Sequence, residues 1–312
     1  MMSLVLRGAL ACQALWLLAM TTASMGATAS ATALAVTAFS GLLALNAFVL
    51  AAGYAVARLY AAAGPQAAGG TAPAPTWRSA PAELLALFAA FVVIQPFERW
   101  WMSGEPVGRI APGRVPVLLV HGYLCNRGMW WWLCRRLRAR GFTVATVNLE
   151  PPLADLDRLA ALLAQRVDAL LARTGAEKVA IVSHSLGGLI SRACLLRHGA
   201  ARVAGLVTLA APHHGSRIAR LAWGRNGCQM QPDSQWLRCL NAAASPPIPI
   251  ASIWSVDDEL VAPPESARLA GARETILAGV GHMAMVFSPR VLECIEAELA
   301  RQSIVGAPTV AA

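Results

Sequence analysis

Apolar positions follow two different patterns along this chain. Before residue 62 they are almost unbroken; after residue 115 they form short runs separated by longer mixed segments. No charged residue occurs from Gly8 to Ala57. A membrane crossing needs about 20 apolar residues, so two crossings fit, near Gly8–Ser24 and Leu34–Ala57. The polar but uncharged stretch Thr21–Thr32 would connect them. The first segment also reads as a signal peptide, with Arg7, an apolar stretch and Ala27-Thr28-Ala29 as its cleavage site. Gly64 to Thr76 is rich in Gly, Pro and Ala and reads as a linker. Leu84–Phe97 is a third uncharged stretch. It is too short to span and predicts a helix packed on the following domain or lying at a membrane interface. This organises the chain as a membrane-anchoring region (1–62), a linker (63–81), an apolar helix and lead-in (82–113), a folded domain (114–303) and a tail (304–312).

From Val115 the runs predict strands at 115–120, 142–147, 178–183, 203–209, 250–255 and 274–278. The mixed segments predict helices at 130–140, 154–174, 186–198, 264–271 and 288–302. Strands alternating with helices predict a mostly parallel sheet covered on both faces. The interval 213–249 breaks the alternation. It carries Trp223, Met230, Trp236 and Leu240 among polar residues, and reads either as a lid over a site or as a satellite core under a long loop.

Composition adds less. The chain is 56% hydrophobic with a formal charge of +9, carried almost wholly by arginine. Arg135, Arg136, Arg138 and Arg140 cluster after Trp130-Trp131-Trp132; a solvated helix face explains them, and contact with anionic lipid is the alternative. The sequence has no nucleic-acid motif, no phosphate-binding loop and no clustered His/Cys ligands. No nucleic-acid partner, cofactor or metal is therefore expected. Seven cysteines do not make a disulfide framework in a chain this long. Cys194 and Cys294 read as buried helix residues. Cys228 and Cys239, which bracket the insertion, are the best pair for a bridge.

The candidate chemistry centres on Ser183-His184-Ser185-Leu186-Gly187-Gly188, between a predicted strand and a predicted helix. Strand, sharp turn and helix make a nucleophile elbow. Small residues must flank the serine, because strand and helix backbones approach closely there. The turn would lift the Ser185 hydroxyl clear of the sheet and aim the Leu186 N–H at a developing oxyanion. A serine needs a base, and the base needs an orienting acid. Of the six histidines, His121 and His184 precede the serine, His198 ends the next helix at the surface, and His213 and His214 would line a loop. His282 lies on a glycine turn after the last predicted strand, where a base belongs. Asp257, Asp258 and Glu259 follow the strand before it; one would orient the imidazole and the other two would be solvated bystanders. After the strand 115–120, His121-Gly122-Tyr123 turns the chain and would place the Tyr123 N–H beside the elbow.

Together, VLLVHGY, SHSLGG, LAAPHHGS, SIWSVDDELV and GVGHM resemble the α/β-hydrolase superfamily, and within it bacterial lipases and esterases of the triacylglycerol lipase type. The resemblance runs from about Pro116 to Gln302. It implies a minimal α/β-hydrolase fold, with Ser185 as nucleophile, His282 as base, and Tyr123 and Leu186 as oxyanion donors. The family's D-x-x-V pattern fits Asp258 to Val261, which prefers Asp258 over Asp257. Two departures are Ser183 in place of the usual glycine and the long apolar N-terminal region. The implied function is a membrane-anchored serine hydrolase acting on an ester or lipid substrate. An acyltransferase or thioesterase on the same triad, and a catalytically silent hydrolase fold in a membrane assembly, are the alternatives. Arg7 and Arg58 flank the uncharged block and its connection has no charge, so the positive-inside rule favours a hairpin in a bacterial inner membrane with both ends cytoplasmic. A Cys228–Cys239 bridge would instead suit an oxidising compartment.

Overall fold

The computed structural model describes residues 1–25, 30–62, 77–102, 104, 110 and 115–305. Six strands form one sheet: β1 (Val117–Val120), β2 (Val144–Thr146), β3 (Val179–His184), β4 (Val203–Leu209), β5 (Ile250–Ser255) and β6 (Arg273–Leu277). Their order is β2-β1-β3-β4-β5-β6, and every neighbouring pair is parallel. All six match the expected runs to within two residues.

Strand side chains alternate between faces, and the sheet sorts them into two cores. Val117, Leu119, Ala180 and Val182 face one core. There they meet Leu133 and Leu137 of α5 (Trp131–Ala139), and Val291, Ile295 and Leu299 of α10 (Pro289–Val305). Leu118, Val120, Val179 and Ile181 face the other core. Its cover is Leu159 and Leu163 of α6 (Leu156–Thr174) and Leu189 and Ile190 of α7 (Leu186–His198). Asp155 caps the start of α6 by accepting the Asp157 N–H at 2.9 Å, and Gly175 at φ 69° ends it in the left-handed conformation, which glycine adopts without steric cost.

The expected helix at 264–271 is only a 3-10 turn, Pro264–Ala267. It ends where Arg268 leaves the helical region with ψ 145°. The interval 213–249 folds into a 3-10 turn and two short helices, α8 (Gly224–Gln229) and α9 (Gln235–Ala242). Leu237, Leu240 and Met230 join the main core, with Trp236 packed against it; they form no satellite core. Trp223 alone among the expected apolar residues is exposed.

The uncharged N-terminal block is two helices, α1 (Met2–Met25) and α2 (Ala31–Ala62). Residues 26–29 of the expected connection lie outside the described residues, while 21–25 are helical. Both helices are long and apolar enough to cross a membrane by length and composition. Leu15, Trp16, Phe39 and Phe48 point outward. Near the domain the helices are covered instead. Met2, Leu50 and Tyr54 are buried, Asn126 donates to Ser3 Oγ at 3.1 Å, and the position of a Cβ on Gly53 lies 3.5 Å from Glu259 Cγ. The base of the hairpin therefore rests on the loops around the sheet.

The expected linker ends sooner than residue 81. A helical run starts at Trp77 and continues to Trp101, and is also long and apolar enough to cross a membrane by length and composition. It contains α3 (Ala80–Phe88), a π-helical turn (Ala89–Ile94), a 3-10 turn (Gln95–Phe97) and α4 (Glu98–Trp101). Glu83 and Glu98, which bound the uncharged stretch, are both buried within this run. Ala86, Leu87 and Ala90 join the core beside α10. This packing agrees with the expectation of a helix docked on the domain.

Candidate active site

Ser185 sits between β3 and α7 with φ 54° and ψ −126°. A non-glycine residue there is strained, as an elbow requires. Its N–H donates to the Leu209 carbonyl at 2.8 Å, tying the turn to β4. A Cβ on Gly187 would stand 2.6 Å from the His121 carbonyl oxygen, and one on Gly122 would stand 3.0 Å from Ser185 Cβ. These close approaches are why the two loops carry glycine. Ser183, at the usual glycine position, is fully buried and donates to the Val207 carbonyl at 3.3 Å; the strand holds a hydroxymethyl group there without a clash.

His282 lies on the loop after β6 and is buried. Its Nδ1 is 2.8 Å from Asp258 Oδ2 and 3.1 Å from Oδ1. Asp258 Oδ1 also accepts the Leu260 and Val261 N–H groups at 2.9 and 2.8 Å. The carboxylate is thus fixed from behind. Burial pulls the His282 pKa down, but the adjacent Asp258 carboxylate and its hydrogen bond outweigh burial, so the net shift is upward.

The other two acids are not solvated bystanders. Asp257 and Glu259 are both buried. Asp257 Oδ2 accepts the Gly279 N–H at 2.6 Å, and Glu259 Oε2 accepts the His282 N–H at 3.2 Å. Each acid holds a different point of the histidine loop. Neighbouring residues in a turn project in different directions, so adjacent carboxylates serve separate donors.

Two histidines set aside by chain order also belong to the site's surroundings. His184 Nε2–H donates to the His282 carbonyl at 3.0 Å, and the two rings lie 4.6 Å apart between centroids. Burial, then the neighbouring His282, holds His184 well below the ordinary histidine range, so it is neutral. This bond joins the residue before the elbow serine to the histidine loop. His121 Nδ1–H donates to the Gly122 carbonyl at 3.0 Å, and Nε2 accepts the Leu149 N–H at 3.0 Å. Burial pushes its pKa to about 4. A neutral His121 therefore braces the loop that carries Tyr123. His213, expected to line a loop, is buried and bonded to Thr208 Oγ1 at 3.1 Å, while His198 is exposed as expected.

The Tyr123 hydroxyl bridges toward the insertion. It donates to the Trp223 carbonyl and accepts the Trp223 N–H, both at 2.9 Å. Ser185 itself is 9% exposed. A cavity of about 10 Å³ is bordered by Gly122, Leu124 and Leu186. A larger recess of about 300 Å³, lined by Trp101, Met102, Trp131, Cys134, Arg135 and Arg138, includes none of the candidate catalytic residues. The elbow is linked to the His282–Asp258 pair through the bond from His184 to the His282 carbonyl. Cys228 and Cys239 are exposed free thiols, so the expected bridge is absent. Cys194 is buried as expected, whereas Cys294 is only partly covered.

Residues 115–227 match the family described as alpha/beta hydrolase fold. A triacylglycerol lipase of Pseudarthrobacter phenanthrenivorans is 36% identical over 121 residues, covering 35% of this chain and 36% of that protein. A triacylglycerol lipase of Burkholderia plantarii is 36% identical over 121 residues, covering 35% of this chain and 32% of that protein. The matched region spans about a third of the length of these relatives. Among solved structures, the mature Bacillus licheniformis lipase BlEst2 superposes with a TM-score of 0.57 at 20% identity, over 63% of this chain and 96% of that one. Aspergillus fumigatus lipase B superposes with a TM-score of 0.53 at 19% identity, over 62% of this chain and 57% of that one. With its six-stranded parallel sheet, the domain has the α/β-hydrolase fold. In sequence it is similar to the two triacylglycerol lipases named above.

Proposed function

We propose that this chain is a membrane-anchored serine hydrolase of the lipase/esterase type that cleaves carboxylic esters. The observation that carries this reading is one connected arrangement. The His282–Asp258 pair is bonded at 2.8 Å, and its loop is bonded through His184 to the strained turn bearing Ser185. Metal and cofactor play no part in the proposed chemistry.

Ser185 Oγ attacks the acyl carbonyl while its proton passes to His282 Nε2. Asp258 keeps the Nδ1–H tautomer and stabilises the imidazolium that forms. The tetrahedral oxyanion is held by the N–H groups of Leu186 and Tyr123. The leaving alcohol takes the proton from His282, leaving an acyl ester on Ser185. Water then attacks with His282 as base, releasing the acid and restoring the serine.

The anchor is the hairpin of α1 and α2, with the outward-facing Leu15, Trp16, Phe39 and Phe48 toward lipid. The docked hairpin base keeps the site near the bilayer surface, which favours lipid-like esters. The charge pattern around Arg7 and Arg58 favours a bacterial inner membrane with the domain on the cytoplasmic face. The decisive experiment is labelling of the detergent-solubilised full chain with a fluorophosphonate, followed by a chain-length series of p-nitrophenyl esters. The expected result is labelling at Ser185 and ester turnover, both lost in Ser185→Ala. Turnover above about a tenth of wild type in that variant sinks the mechanism, since triad members act as one unit.

A further inference from the structure

Helix α3 lies outside the residues 115–227 matched by the family, yet one of its residues reaches the histidine loop. Glu83 is fully buried. Its Oε1 accepts the Met283 N–H at 2.8 Å and its Oε2 accepts the Ala284 N–H at 2.7 Å. The N–H of His282 itself ends on Glu259 Oε2 at 3.2 Å. Three successive backbone donors, at 282, 283 and 284, are therefore all held by two carboxyl groups. A Cβ on Gly281 would stand 2.5 Å from Glu83 Oε2, so the residue before His282 leaves that oxygen its space.

We propose that Glu83 is a positioning residue for His282, fixing the backbone just after the imidazole so that helix α3 completes the active site. This rests on the hydrolase reading given above. The carboxyl pair explains how such a site is stable. Two buried carboxylates side by side cannot both ionise. Burial, then the charge of Glu83, pushes the Glu259 acid well above the usual carboxylate range. Glu259 is thus the protonated member and donates to Glu83, consistent with its Oε1 having no other partner among the described residues. Burial raises the Glu83 acid as well, but the Ala284 and Met283 N–H groups favour its charged form, and charge-assisted bonds are the stronger kind. The other titratable groups around the pair are Asp257, Asp258, His282 and, from α2, Tyr54, whose hydroxyl bonds Ser79.

The test uses the full chain in detergent, with folding checked by circular dichroism and thermal midpoint. Glu83→Gln replaces one acceptor by a donor facing a backbone N–H. The expected result is a kcat lower by about a hundredfold, the scale of a misplaced catalytic group, with KM little changed. The acidic limb of its kcat/KM profile should move to lower pH, because the charge that favours protonated His282 is gone. Gly281→Ala displaces Glu83 without changing any ionisable group and should lower kcat with the limb in place. Glu259→Gln keeps an acceptor for His282 and a donor for Glu83, so it should exceed Glu259→Ala in kcat by about tenfold. A folded Glu83→Gln protein with wild-type kcat and an unmoved limb overturns the proposal. Loss of fold in Glu83→Gln also overturns it, since Glu83 is then a structural residue only. A wild-type chain that fails to label at Ser185 defeats the hydrolase reading itself; labelling of wild type with indifference to Glu83→Gln defeats only the positioning role.

Discussion

Asp258→Asn isolates the role of the candidate acid, because the structure dictates how the amide must sit. Asp258 Oδ1 accepts two backbone N–H groups, from Leu260 at 2.9 Å and Val261 at 2.8 Å. An amide nitrogen there would set donor against donor twice, so the amide oxygen takes the Oδ1 place. The NH2 group then occupies the Oδ2 place, 2.8 Å from His282 Nδ1. Facing a donor, Nδ1 must become the acceptor, and the ring proton moves to Nε2. That tautomer cannot take the Ser185 proton. The geometry survives and the chemistry does not, which in serine hydrolases costs about ten-thousandfold in kcat, or about 5 kcal/mol of transition-state stabilisation. Asp257→Asn still offers an oxygen to the Gly279 N–H and should cost less than about tenfold. The assay is steady-state hydrolysis of p-nitrophenyl butyrate by both variants, with folding checked by thermal midpoint. Asp258→Asn retaining more than about a tenth of wild-type kcat, or a larger loss in Asp257→Asn, refutes the assignment.

Four further outcomes follow from the geometry and the charge pattern. His282 must be neutral to act as base, and its pKa is raised by Asp258, so kcat/KM should fall with acidification through a value above the ordinary histidine pKa of about 6.5; a pH profile with its acidic limb below that value contradicts this. Trp236 packs on the core and donates to Asp157 Oδ1 at 2.8 Å, so Trp236→Ala should lower stability by about 2 kcal/mol in denaturant unfolding, with equal effects on short and long esters. The exposed Trp223, bonded through its backbone to Tyr123, should instead affect long-chain esters more than acetate when changed to alanine; equal effects would remove it from the acyl site. A single cysteine placed within residues 64–76 of a chain lacking other cysteines should resist an impermeant thiol reagent in intact cells, and labelling without permeabilisation would place the domain outside the cytoplasm.

The sequence by itself determined the sheet, the elbow and the two ends of the candidate triad. Buried parallel strands read as apolar runs because both faces are covered. The elbow is legible because its tight turn admits only small residues around Ser185. His282 is legible because a base must follow the last strand, whereas Asp258 is preferred over Asp257 only by resemblance to the family's D-x-x-V pattern, and the two N–H groups that pin its carboxylate appear only in the fold. The lid residues were harder to place, since Leu237 and Leu240 have the same apolar character whether they cover a site or, as here, enter the main core. Only the tertiary structure decided the fate of the other buried polar groups. Glu259 and Asp257 look like surface acids beside Asp258, and become loop anchors because the chain returns Gly279 and His282 to them. Glu83 looks like an interruption in an apolar stretch. Its partners lie some 200 positions away, and no local pattern encodes a hydrogen bond between segments that meet only when the fold closes.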